Sequence, residues 1–324
     1  MDTNRRSWRR LGTCKFEVFT LRIVYLLFTA CLGCISAQPV NARQATKLDD
    51  ALQSFEHIGR KLIIPVTITG LDGRFETADF IVDTGTDRTV LDNAVAQALG
   101  LKSYRTTDVH SMAGSTKRAT VRVSRICGLL QCAGEIDVAL GDLSTESEAD
   151  GRVIGGLLAM DFLKKYVLVI DFPHLKLGLL PHDADLADLA IWNIYKLTTI
   201  EDLVFIEANL PAGNEIKLLF DTGEDMPVDA VLYETVVSTI NLDGLAAGRV
   251  FDSNGVAAIK LGTIESLSIG GMVIVPARIT LSKQNPMGIA LFGGAGSTGM
   301  FPFRNNVIAL DYSKLELLIA TDRK

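Results

Sequence analysis

Phe80-Ile81-Val82-Asp83-Thr84-Gly85 and Leu218-Leu219-Phe220-Asp221-Thr222-Gly223 share one plan, an apolar triplet running into Asp-Thr-Gly. An apolar run closed by Asp and Gly reads as a buried strand ending in a turn, because Gly permits backbone angles closed to other residues. Each turn carries one carboxylate. Two carboxylates held face to face cannot both ionise cheaply in a low-dielectric cleft, so such a pair shares a proton and can act on a bound water as base and acid.

The match between the two stretches extends outward at a nearly fixed offset, which marks an internal repeat. The two aspartates are 138 residues apart. Upstream, Ile64 to Gly70 leads into Leu71-Asp72-Gly73, and Val204 to Leu210 leads into Pro211-Ala212-Gly213, with the two final glycines 140 apart. Downstream, Met112-Ala113-Gly114 corresponds to Ser253-Asn254-Gly255, and Val169-Ile170-Asp171-Phe172 to Ala309-Leu310-Asp311-Tyr312. The chain is one half written twice.

From Leu62 to Ile319 these motifs resemble the retropepsin-like aspartic proteases of retroviruses and of exported or membrane-linked bacterial proteins. The resemblance implies an all-β acid-protease fold with a few short helices, in which two homologous retropepsin-like lobes form a pseudo-dimer. It also implies an aspartic endopeptidase with Asp83 and Asp221 as its catalytic pair. Thr84, Gly85, Thr222 and Gly223 would be structural parts of the site, the threonines bonding across the lobe interface. Flaps would form around Ala113 and Gly114 and around Asn254 and Gly255. Asp87 and Asp225, two residues beyond each Gly, would meet substrate main chain, against the plainer reading of solvated or capping aspartates. Asp171 and Asp311 belong to a lobe-packing strand and are not site candidates. Two positions depart from the family pattern. Glu224 stands where a small residue is usual, either raising the coupled pKa values of the pair or turned out to solvent. Ala159 replaces a glycine that Gly299 keeps in the second half.

The expected organisation is a signal segment over residues 1–37, a tether over 38–57, a first lobe over 58–182, a linker over 183–200 and a second lobe over 201–324. Val, Ile, Leu and Thr in short runs between Gly and Asp or Asn turns read as mainly β. The clearest helix is expected over Leu91 to Leu99, with Gly100 just beyond it. At the N-terminus Arg5, Arg6, Arg9, Arg10 and Lys15 precede an apolar stretch from Ile23 to Ala37. That pattern suits export with cleavage after Ile35-Ser36-Ala37. Lipidation at Cys31 or Cys34 and an uncleaved anchor are the alternatives, so the protein is placed in the periplasm, outside the cell, or as a periplasm-facing lipoprotein. Cleavage removes six of 32 basic and two of 38 acidic residues, leaving a net charge of −10. A chain this acidic is a poor partner for nucleic acid.

Cys127 and Cys132 then remain, and a pair at hairpin spacing in an exported protein suggests a disulfide, with two reduced core thiols as the alternative. His57, His110, His174 and His182 lack ligand spacing, so neither a metal nor another cofactor is expected. Gly294-Ala295-Gly296-Ser297-Thr298-Gly299 imitates a dinucleotide-binding pattern, yet Pro302 follows too soon for a helix to open there. It reads instead as the repeat of the Gly155-Gly156 region, a loop entering a late helix. Three functions fit: an exported single-chain endopeptidase acting on peptide or protein as a monomer, a noncatalytic peptide-binding module of the same fold, and separate lobes that each self-associate.

Overall fold

Each Asp-Thr-Gly turn emerges between two strands, with a third strand threaded between them. The computed structural model describes residues 48–58, 61–111, 114–235, 243–252, 255–283 and 294–321. In the first lobe β3 (Lys61–Thr69) pairs antiparallel with β4 (Phe75–Val82), placing Ile64 opposite Phe80. Burial along β4 explains its sequence: its outer residues are exposed, while Phe80, Ile81 and Val82 are buried just before Asp83. Beyond the turn the chain re-enters the sheet as β5 (Val90–Asp92). Between β4 and β5 runs β11 (Ile154–Leu158), parallel to the first and antiparallel to the second. The Asp83 N–H donates to the Leu158 carbonyl at 3.0 Å, fixing the turn to this threaded strand.

The second lobe repeats the plan. There β15 (Leu203–Leu210) pairs with β16 (Asn214–Phe220), the turn follows, and the chain returns as β17 (Ala230–Tyr233). The threaded strand is β23 (Gly294–Thr298), and the Asp221 N–H donates to the Thr298 carbonyl at 3.0 Å. The glycine-rich run is therefore a buried strand, not the expected loop, and the element after it is a single 3-10 turn over Phe301–Phe303.

Hairpins project from both lobes: β6 (Arg105–Ser111) with β7 (Gly114–Val123), and β18 (Asp243–Asp252) with β19 (Gly255–Ile264). Gly114 pairs with Ser111 and Gly255 with Asp252, which closes each hairpin over two residues. The flap positions Ala113 and Asn254 lie outside the described residues. So do the expected signal segment and the candidate lipidation sites Cys31 and Cys34.

The lobes meet in strands that run on, through β14 (Asn193–Ile200), into the second lobe's sheet. The central strands of this junction are β12 (Val167–Asp171) and β24 (Val307–Asp311), which pair antiparallel with Val169 opposite Ala309. Val167 faces Asp311 and Asp171 faces Val307, so the register reads the same from either half, as a two-fold seam must. β13 (Lys176–Leu180) and β25 (Glu316–Ala320) flank the pair, with β14 beyond β25.

Three expectations change. Residues 193–200, placed in a linker, form β14 and pair with both β25 and β15. Within the expected tether, β1 (Gln53–Ser54) pairs with β13 and β2 (Glu56–Ile58) with β3, while Leu52 and Phe55 are buried. The helix α1 spans Asn93–Ala98, because Leu91 is drawn into β5 beside Leu140 of β10 (Ile136–Gly141). Asp92 caps it by accepting from the Ala94 N–H at 2.7 Å, which satisfies one of the free donors at a helix start.

Cys127 and Cys132 are register partners in the hairpin of β8 (Arg125–Gly128) and β9 (Gln131–Ala133), their sulfurs within disulfide-bonding reach. Cys132 is exposed, which disfavours the reading of two core thiols.

Candidate active site

The threonines of the two turns lock the lobes together through four hydrogen bonds. The Thr84 hydroxyl donates to the Phe220 carbonyl at 2.6 Å and accepts from the Thr222 N–H at 3.0 Å. The Thr222 hydroxyl donates to the Val82 carbonyl at 2.7 Å and accepts from the Thr84 N–H at 3.0 Å. Both side chains are fully buried, and each hydroxyl spends its donor and one acceptor across the interface. Valine has Thr's shape but could make none of these bonds.

This lattice brings the carboxyls of Asp83 and Asp221 together, close enough that each alters the protonation of the other. Gly85 and Gly223 make the approach possible. A Cβ on Gly85 would overlap the Asp221 carboxyl, and one on Gly223 would fall 2.9 Å from the Asp83 carboxyl carbon. Each glycine thus lies beneath the other lobe's aspartate.

The two aspartates are not equivalent. Asp83 accepts from the Gly85 N–H at 2.8 Å on one oxygen and from the Thr86 hydroxyl at 2.9 Å on the other. Burial raises its pKa, and these donors pull the other way by favouring the carboxylate. Asp221 accepts from the Gly223 N–H at 2.8 Å. Burial first, then the charges of Asp83 and Glu224, hold its pKa well above the usual carboxylate range.

Glu224 occupies the position of Thr86, is buried, and is not turned out to solvent. One of its oxygens accepts from the Ser297 hydroxyl at 2.5 Å; the other has no hydrogen-bond partner among the described residues. Burial pushes its pKa up to about 7, against the opposing effect of the Ser297 bond. Ser297 pairs with Leu219 in the second lobe as Leu157 pairs with Ile81 in the first, so a serine here replaces a leucine. Gly299 is part of the same change. A Cβ there would lie 3.0 Å from the Glu224 Cβ and 2.9 Å from its carbonyl oxygen, whereas Ala159 carries a methyl at the equivalent place.

Asp87 and Asp225 part company. Both oxygens of Asp87 are engaged by His110 on β6, one by its N–H at 2.7 Å and the other facing its Nδ1 at 3.0 Å. Buried and committed, Asp87 ties the first flap hairpin, near its tip, to the turn and does not face a peptide as expected. Asp225 is partly exposed and lies 4.0 Å from Lys61 of the first lobe, which also bonds Asp150 at 3.1 Å. Ser297 and His110 were not singled out from sequence. The signal for Ser297 was available, as a polar residue at a position the repeat makes apolar. Among the described residues no three His, Cys, Asp or Glu side chains form a metal-binding group.

Residues 64–162, from β3 into the helix α3 (Met160–Leu163), match the family model described as aspartyl protease. The match lies within the first lobe, and with the mostly β architecture it supports a retropepsin-like kinship and a protease-like function in general terms. No curated protein matches the chain.

Proposed function

We propose that this chain, a retropepsin-like aspartyl protease by kinship, is an exported endopeptidase that hydrolyses peptide bonds with Asp83 and Asp221 of a single polypeptide. The observation carrying this reading is the pair of adjoining carboxyls set on the reciprocal Thr84–Thr222 lattice.

Roles follow from the unequal surroundings. With two donors, Asp83 is the carboxylate and the base that draws a proton from the bound water. Asp221 holds the shared proton and gives it to the carbonyl oxygen as the water attacks, so no acyl-enzyme forms. The flap hairpins close over an extended peptide, the first held near its tip by Asp87 and His110. The N-terminal segment directs export, and a Cys127–Cys132 disulfide suits that compartment.

Buried Glu224 favours one competing reading, a peptide-binding module in which a third carboxyl has disabled catalysis. Cleavage of casein from about pH 3 to about pH 8 separates the two. The expected result is cleavage by the wild type and its loss in both Asp83→Asn and Asp221→Asn, each shown to be folded. A folded, monomeric wild type inactive over the whole range would defeat the endopeptidase reading in favour of the binding module.

A further inference from the structure

Three differences between the lobes converge on one spot beside the dyad. Where the first lobe has Thr86, Leu157 and Ala159, the second has Glu224, Ser297 and Gly299. Ser297 supplies a donor to Glu224, and Gly299 leaves the space its stem fills. A carboxyl admitted by accident would be left without support. This one has a dedicated hydroxyl and a dedicated gap, yet one of its oxygens has no partner among the described residues.

Among the described residues, the titratable groups that act on Glu224 or feel its charge are themselves acidic. Asp221 lies on the same turn, Asp225 follows in sequence, and Tyr233 approaches from β17 with its buried hydroxyl unpaired among the described residues. Asp83 is reached through Asp221, and the ammonium of Lys61 is 4.0 Å from Asp225. A negative charge on Glu224 is therefore felt chiefly by the dyad, where it opposes loss of the remaining proton. The cleavage-competent dyad holds one proton between two carboxyls, and it fails on the alkaline side when that proton leaves.

We propose that Glu224 is a positioning residue for the shared proton. When it is ionised, its charge keeps the remaining proton on Asp221 to higher pH, carrying the active state toward neutral pH. The inference rests on the endopeptidase reading, but its central claim is a proton equilibrium that can be measured without turnover.

The test compares the full-length wild type with Glu224→Gln, which keeps the shape, and Glu224→Thr, which copies the first lobe. Two readouts are taken: kcat/KM on casein against pH, and the carboxyl carbon resonances of 13C-labelled Asp and Glu through the same titration. In both variants the alkaline limb and the Asp221 midpoint should fall by about one pH unit, since a like charge beside the pair has been removed. Thermal melts confirm that the variants are folded. Folded variants whose limb and Asp221 midpoint stay in place, or rise, overturn the inference. If the wild type cleaves nothing, the endopeptidase reading fails, and the Asp221 midpoint alone decides for or against the role of Glu224.

Discussion

Asp83 and Asp221 lie in turns of identical sequence, and their neighbours make them different acids. The glycines beneath them have little freedom to change. In Gly85→Ala the new methyl must displace the Asp221 carboxyl, so kcat should fall by about 100-fold or more, the scale set by small misplacements of reacting groups. Gly134→Ala, with open space around it, should leave casein cleavage unchanged and serves as the control. Glu224 has a thermodynamic signature as well. Its pKa is raised on folding, from an ordinary 4.5 to about 7, so the folded state binds the proton more tightly than the unfolded chain. Stability is then fullest below the unfolded value and declines as pH rises through the folded one. Between these limits the loss from this group is about 3 kcal/mol, and Glu224→Gln should remove that part of the decline in urea titrations at acid and alkaline pH. Sequence showed that Glu224 was out of pattern but not where its side chain lay, because that depends on Ser297, 73 residues away, across a parallel strand pair. For the same reason Asp87 looked like a substrate contact until His110, 23 residues on, was seen to occupy both its oxygens.

The β8–β9 hairpin and its repeat solve one turn in two ways. In the second lobe, β20 (Leu267–Ile269) and β21 (Met272–Ile274) are joined by Gly270 and Gly271 at φ of 51° and 75°. In the first, Leu129 and Leu130 take the same left-handed angles, 52° and 64°, and the cysteines flank them. A left-handed conformation costs an ordinary residue roughly 1–2 kcal/mol, which a Cys127–Cys132 disulfide, closing so small a loop, would offset by roughly 2 kcal/mol. Leu129 is buried and contributes to the core, whereas Leu130 is exposed. Leu130→Gly should therefore raise the unfolding free energy by about 1 kcal/mol, most visibly when Cys127 and Cys132 are both replaced by Ala. A loss of stability in denaturant titrations would contradict this account. The cysteine spacing pointed to a hairpin, but the dipeptide Leu129-Leu130 carries none of the residues that favour such a turn. The helix start was misplaced for a comparable reason. Leu91, Val95 and Leu99 have helical spacing, and pairing of Leu91 with Leu140 overrides it.

At the scale of the molecule, the repeat made the pseudo-two-fold arrangement legible, because matched turns and matched late strands at one offset imply two copies of one lobe. What the repeat leaves open is how far the seam reaches, since residues outside the repeat close it. Leu52 from the expected tether, and Leu186, Leu189 and Trp192 from the expected linker, pack on one face of the central sheet against Val169 and Ala309. The described residues accordingly fall in one compact unit, with no division between the lobes. That arrangement predicts a monomer in which both lobes unfold in one transition. Val169→Asp tests it at the centre of the seam, far in sequence from either turn. Val169 is fully buried, and an uncompensated charge there should cost about 3–5 kcal/mol. If the lobes depend on the seam, calorimetry will show a single transition at lower temperature for the whole chain. It will also show loss of casein cleavage at temperatures where the wild type still works, because Thr84 and Thr222 can hold the dyad only while the lobes stay joined. Two resolved transitions, with one lobe melting at the wild-type temperature, would mean that each half is stable alone and that the seam merely docks them.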